Sequence, residues 1–190
     1  TLSYEDFLGR FAGRDERYAM SKMAEELGID CNEDIFKEWS SRKAAAYAQF
    51  VSENAEPMPG AIDFVTSVAR NLPVGLATGS RRSDVNTALR VLANGRLEEV
   101  FQTIVTSDDV PKPKPHPATY AKAVENLGFQ PSECVAFEDS PNGILSAKGA
   151  GLRVVGISAM HGPEKLSEAD VVIPNLRGAS LNTLYSWFGL

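Results

Sequence analysis

The chain has 190 residues, of which 43% are hydrophobic and 23% charged, a balance that excludes a disordered tail or a collagen-like fibre. Twenty-five acidic against nineteen basic residues leave a formal net charge of −6, which argues against nucleic acid as a partner. The apolar runs, such as 74–77 and 171–173, are far too short to span a bilayer, and no basic-then-apolar leader follows Thr1.

Residues 1–56 show helical patterning throughout. Ser3 precedes Tyr4, Glu5 and Asp6, so a helix is expected there, with acidic groups near its positive end. Gly13 interrupts the pattern. From Asp15, Met20, Met23, Ala24 and Leu27 recur at helical spacing and stop at Gly28. A longer amphipathic run follows from Glu33, carrying Ile35, Phe36, Trp39, Tyr47, Phe50 and Val51; packing is the ordinary role for such residues. Pro57, Pro59 and Gly60 then punctuate the chain, and the pattern changes to alternation. Helices are expected over 61–70, 83–93, 119–127 and 142–149. Strands are expected over 73–78, 103–106, 134–137, 153–157 and 170–173. Short strands alternating with helices of about ten residues imply crossover units and a parallel sheet. The expected fold class is therefore α/β: a Rossmann-like parallel sheet flanked by helices, preceded by a small all-helical piece.

In open parallel sheets, ligands collect at the carboxyl ends of the strands. The strand over 73–78 delivers Thr78, Gly79, Ser80, Arg81 and Arg82 there. Hydroxyls, a glycine and the N–H groups of a helix start make a phosphate cradle, although an ordinary turn capped by Ser80 or Ser83 has the same composition. Next comes Val110–Pro111–Lys112–Pro113–Lys114–Pro115–His116–Pro117, whose alternating prolines stiffen the backbone and present lysines on a rigid loop. One lysine held this way can neutralise a phosphate; a plain solvated loop is the alternative. The third cluster is sharper: Val135–Ala136–Phe137 runs into Glu138–Asp139–Ser140–Pro141–Asn142–Gly143. Adjacent carboxylates at a strand end repel, and a hard divalent cation such as magnesium resolves that repulsion. Capping of the next helix by Asp139 or Ser140 is the competing account. His116 and His161 are too few and too isolated for zinc, and Cys31 and Cys134 are too far apart for a redox motif. Separate thiols fit a reducing cytoplasm, the expected location.

Together, the three clusters resemble motifs II, III and IV of the haloacid dehalogenase (HAD) superfamily in order and spacing. The stretch from Glu138 through Ala147–Lys148–Gly149–Ala150–Gly151–Leu152 is similar almost residue for residue. One departure is Ala118, where many relatives carry an aspartate after Lys-Pro-x-Pro. Residues 1–56 resemble the helical cap of the phosphatase and phosphoglucomutase-like branch, and residues 57–190 its α/β core. The segment Phe11–Ala12–Gly13–Arg14 resembles the part of the cap that faces the active site. The resemblance implies roles for single residues. Thr78 would hydrogen-bond the phosphoryl group, and Lys114 would pair with both that group and the nucleophile. Asp139 would bind Mg2+, with Glu138 as a direct or water-mediated ligand. Gly79, Ser80, Arg81 and Arg82 lie where substrate would sit, as do Gly13 and Arg14 on the cap.

The family's first motif, Asp-x-Asp-x-Thr, does not occur in the chain. The resemblance therefore places the nucleophilic aspartate on a strand N-terminal to Thr1, near the middle of the sheet. The implied activity is Mg-dependent hydrolysis of a small phosphate monoester, expected to be a sugar phosphate, through an aspartyl-phosphate. A dehalogenase is disfavoured by the Glu138–Asp139 pair. A phosphonatase would need a specific cap lysine, a pattern that neither Lys22 nor Lys37 matches. A sugar-phosphate mutase of the same branch is the alternative, against which stands Ala12, where mutases carry a basic residue. From another class, an inactive module that binds a phosphorylated ligand or protein is the remaining alternative. The expected assembly is a monomer or homodimer.

Overall fold

The computed structural model describes Asp6, Arg10, Phe11, residues 14–95 and residues 97–189. The expected helix after Ser3 lies largely outside the described residues. Two helices open the described chain. Helix α1 (Glu16–Leu27) begins where the Asp15 carboxylate accepts the Tyr18 N–H at 3.1 Å. Helix α2 (Glu33–Asn54) is capped by Asn32, which accepts from both Asp34 and Ile35. These caps satisfy donors that a helix start otherwise leaves without partners. No helix among the described residues is long and apolar enough to cross a membrane.

The linker after α2 is pinned rather than loose. The Leu176 N–H donates to the Pro59 carbonyl at 3.1 Å. Gly60 has φ +82°, and a Cβ there would lie 2.3 Å from the Leu176 carbonyl, so only glycine allows this close crossing. Helix α3 (Ala61–Val68) follows, then strand β1 (Gly75–Ala77), helix α4 (Arg82–Val91) with a 3-10 turn over Leu92–Gly95, and strand β2 (Thr103–Val105). The second half comprises helix α5 (Ala118–Leu127), strand β3 (Val135–Glu138), helix α6 (Pro141–Gly149), strands β4 (Arg153–Ile157) and β5 (Val171–Ile173), and helix α7 (Leu181–Phe188). The elements fall within a few residues of the sequence expectation. Helix α7 was not anticipated; Ser180 caps it by accepting the Thr183 N–H at 3.3 Å.

Among the described residues all strand pairings are parallel, as expected. They form two sheets, β1–β2 and β3–β4–β5, with Gly75 opposite Thr103 and Val135 opposite Arg153. No ladder joins β1 to β3 among the described residues. Helix α5 packs on β1, β2 and α6, so the two sheets share one helical layer. Alternation along β3 decides what happens at its end. Ala136 points into a core with Tyr120, Ile144 and Val154, whereas Phe137 points the other way, edge-on to Phe64 at 5.1 Å and near Trp187. Glu138 shares the face of Ala136, and so a carboxylate is carried under helices α5 and α6.

Candidate active site

The two lysines of the proline-rich loop have different fates. Lys112 is exposed, whereas Lys114 is 4% exposed. The Lys114 Nζ donates to the Ala77 carbonyl at 3.2 Å, at the end of β1, and to the Glu138 carboxylate at the end of β3. It also lies 4.5 Å from the centre of the Tyr120 ring. Lys114 thus bridges the ends of the two strands that no ladder joins. The Glu138 carboxylate is fully engaged. Its Oε1 accepts from the Tyr120 hydroxyl at 2.7 Å, and its Oε2 from the Ser140 hydroxyl at 3.2 Å. Burial and the Glu138 charge push the Tyr120 hydroxyl well above its ordinary pKa, so it stays a donor.

Asp139 lies beside this network and is half-buried. Burial raises its carboxyl above the usual aspartate range, with the Glu138 charge adding to the effect; Lys114 and His161 act in the opposite direction. A carboxylate whose ionised form is disfavoured in this way is suited to a hard cation, which accepts carboxylate, water and phosphate oxygens together. Among the described residues no group of three histidine, cysteine or acidic side chains forms a complete metal cage. The available donor at this strand end is Asp139, which suits an ion that keeps waters and takes further oxygens from its substrate; Glu138, expected as a direct or water-mediated ligand, has both carboxylate oxygens held by Lys114, Tyr120 and Ser140. His161, 6% exposed on the loop after β4, is the neighbour that sequence reasoning missed. Its place follows from β4 lying beside β3, a pairing that no local motif encodes.

The end of β1 is held by its neighbour strand. Thr78 donates its N–H to Val105 at 2.9 Å, and its hydroxyl accepts the Ser80 N–H at 3.1 Å. Ser80 is exposed, and its carbonyl accepts from the Ser107 N–H and hydroxyl. The two arginines that follow meet two aspartates. Arg81 Nε donates to Asp108 at 3.2 Å and its Nη1 to Ser40 on α2 at 2.8 Å. Arg82 turns to the β2 loop, donating to the Ile104 carbonyl at 2.8 Å and to Asp109 at 2.5 Å. A cleft of about 440 Å³ separates α2 from the start of α4; Arg81 lines it together with Arg17, Glu33, Phe36, Lys37, Ser40, Ser41 and Ser83. Arg14 stacks over the Tyr18 ring at 4.7 Å and is not among the lining residues; Gly13 lies outside the described residues. The structure therefore brings Thr78, Lys114, Glu138 and Asp139 together at the ends of β1 and β3, with Gly79 between Thr78 and the exposed Ser80.

The helical pair is fastened to the core beside this cleft. Lys43 on α2 pairs with Asp84 on α4, which is 3% exposed, and with Glu16 on α1 at 3.3 Å. Such a contact across 41 residues of sequence fixes where the cleft opens.

The sequence pattern of the haloacid dehalogenase-like hydrolases matches residues 5–157. A validoxylamine A 7'-phosphate phosphatase from Streptomyces hygroscopicus subsp. limoneus is 33% identical over 178 residues, covering 92% of this chain and 80% of that protein. A phosphorylated carbohydrates phosphatase from Thermotoga maritima is 32% identical over 174 residues, covering 88% and 76%. Among solved structures, CbbY from Rhodobacter sphaeroides in complex with phosphate superposes with a TM-score of 0.85 at 23% identity, covering 99% of this chain and 84% of that one. Sequence pattern, relatives and fold agree: the chain belongs to the haloacid dehalogenase-like hydrolases.

Proposed function

We propose that this hydrolase is a Mg2+-dependent phosphatase of small phosphorylated carbohydrates, with residues 1–56 as its cap and residues 57–190 as its core. The observation that carries the reading is the bridge made by Lys114 between the ends of β1 and β3, with Thr78 on one side and Asp139 on the other. No ladder joins β1 to β3 among the described residues, which leaves a place in the strand order for one further strand, and we assign the nucleophilic aspartate to it.

Each group then has a task. The Thr78 hydroxyl donates to a phosphoryl oxygen. Lys114 offers positive charge to the phosphoryl group and to the attacking carboxylate, while Glu138 and the Tyr120 ring hold its ammonium in place. The carboxylate attacks phosphorus while the P–O bond to the sugar breaks and the sugar leaves as its protonated alcohol; water then hydrolyses the aspartyl-phosphate, releasing inorganic phosphate and returning the carboxylate. Asp139, with Glu138 behind it, would hold Mg2+, which when bound neutralises developing charge on phosphoryl oxygens. Positioning and electrostatics carry most of the work in such transfers. The carbohydrate part of the proposal is supported by the similarity to the phosphorylated carbohydrates phosphatase of Thermotoga maritima.

The test is release of inorganic phosphate from a panel of sugar phosphates by the full-length protein, with Mg2+ and with chelator. Phosphate release that stops with chelator and returns with Mg2+ is expected. Release that survives chelator would remove the metal from the reading, and no release from any ester would favour an inactive binding module. Conversion of a sugar phosphate to its isomer without phosphate release would indicate a mutase.

A further inference from the structure

An ammonium group has three N–H donors. At Lys114 one goes to the Ala77 carbonyl and one to Glu138, so among the described residues one is left for a substrate oxygen. Where that third donor points depends on how firmly its two partners hold the ammonium. The Ala77 carbonyl belongs to the β1–β2 ladder and is fixed by it. The Glu138 carboxylate could turn about its own side-chain bonds, but its surroundings prevent this. Its Oε2 accepts from Ser140 at 3.2 Å, an added Cβ at Gly143 would overlap it, and its Oε1 accepts from the Tyr120 hydroxyl at 2.7 Å. Tyr120 is itself immobilised: it is 7% exposed, packs in the core with Ile144 and Val154, and has its ring 4.5 Å from the Lys114 Nζ. Lys114 and Tyr120 therefore share one oxygen of Glu138.

Resting on the phosphatase reading above, we infer that Tyr120 is a positioning residue for the reaction: by holding Oε1 of Glu138, its hydroxyl aims the remaining Lys114 donor at the phosphoryl group. Tyr120 acts through Glu138 and Lys114 and needs no contact with the substrate. Two effects contribute. The hydrogen bond fixes the plane of the carboxylate, and with it the direction of the ammonium. The hydroxyl dipole also offsets part of the carboxylate's charge, which leaves more of the ammonium's field for phosphoryl oxygens. Groups that stabilise a transition state work because they are aimed before the reaction starts, so a small turn of the ammonium is costly.

The experiment measures kcat and KM of the full-length protein at saturating Mg2+ on the best-cleaved sugar phosphate of the panel above. Tyr120→Phe, which removes only the hydroxyl, should lower kcat about tenfold or more and leave KM within about twofold. Two further variants separate aim from stability. Val154→Ala removes apolar volume from the same core cluster and no hydrogen-bond donor; it should lower the melting midpoint as Tyr120→Phe does while keeping kcat within about twofold of the wild type. In the Lys114→Met background, Tyr120→Phe should lower the residual kcat by less than about twofold, because no ammonium is left to aim. Where Lys114→Met does not fold, the comparison of Tyr120→Phe with Val154→Ala decides alone. A Tyr120→Phe kcat equal to the wild type's, a fall that Val154→Ala reproduces, or the same fall again without Lys114 overturns the inference and leaves the phosphatase standing. Release of phosphate from no ester of the panel overturns the phosphatase reading, and this inference with it.

Discussion

Two cation–carboxylate pairs, one at the strand ends and one in the cleft, use the same chemistry to opposite effect. Lys114 and Glu138 have side chains 5% and 7% exposed, wrapped by Tyr120 and Ser140. Arg17 and Glu33 are 51% and 67% exposed at the mouth of the cleft. Breaking a buried pair strands a charge away from water, whereas an exposed pair exchanges its partner for solvent at small cost. The pair at the strand ends is therefore rigid and intolerant of change, and the pair in the cleft is adjustable.

The comparison breaks most decisively at Lys114. Lys114→Ala should lower kcat about 100- to 1,000-fold and destabilise the fold by about 3–5 kcal/mol, since Glu138 is left buried without its cation. Phosphate release and thermal melting measure the two effects; an alanine variant with wild-type stability would mean that the pair is not buried as described. Tyr120→Phe removes one donor from the same carboxylate and should cost about 2 kcal/mol, read as a lower melting midpoint.

The fastening of the helical pair lies between the two extremes. Burial depresses the Lys43 ammonium, but Asp84 and Glu16 outweigh it, and the net shift is upward. A raised ammonium contributes stability that is fully present below the unfolded value of 10.5 and is lost only as pH rises through the folded value. Lys43→Met should therefore cost about 1–2 kcal/mol, discounted for the partial exposure of Lys43, with the same penalty from pH 6 to pH 9. A penalty that changes across that range would point to titration of another group in the contact.

The smallest effect is expected at Asp109. Partial burial raises its carboxyl, but hydrogen bonds from the Thr106 hydroxyl and N–H, together with Arg82, prevail and lower it. Its contribution is present above the ordinary value of 3.8 and is lost as pH falls through the lower folded value. Asp109→Asn should cost about 0.5 kcal/mol near neutrality, and its acid-unfolding curve should meet the wild type's below that point. Curves that stay apart at lower pH would refute the assignment.

The sequence disclosed the parts of the site that local chemistry encodes. Glu138 and Asp139 stand out because adjacent carboxylates after an apolar strand are difficult to explain by packing. The loop around Lys114 stands out through its prolines. Strand and helix positions followed from alternation, with ends that moved by no more than two residues, as where the strand expected over 73–78 narrows to Gly75–Ala77. What stayed hidden depends on contacts between distant segments. Nothing near Lys43 announces Asp84, and nothing near Arg82 announces Asp109. His161 comes near Asp139 through strand order, and helix α7 is short enough that its cap and a few apolar residues gave little periodicity.

Gly143 has a consequence that its chemistry does not suggest. A Cβ at this position would fall 1.9 Å from one oxygen of Glu138 and 2.2 Å from the other. Even alanine there must push the carboxylate off Lys114, Tyr120 and Ser140 together. In a random-mutagenesis selection for activity, position 143 should accept nothing larger than a hydrogen atom. It would score like a catalytic residue while contributing no functional group, and a ranking of positions by mutational tolerance would place it inside the active site.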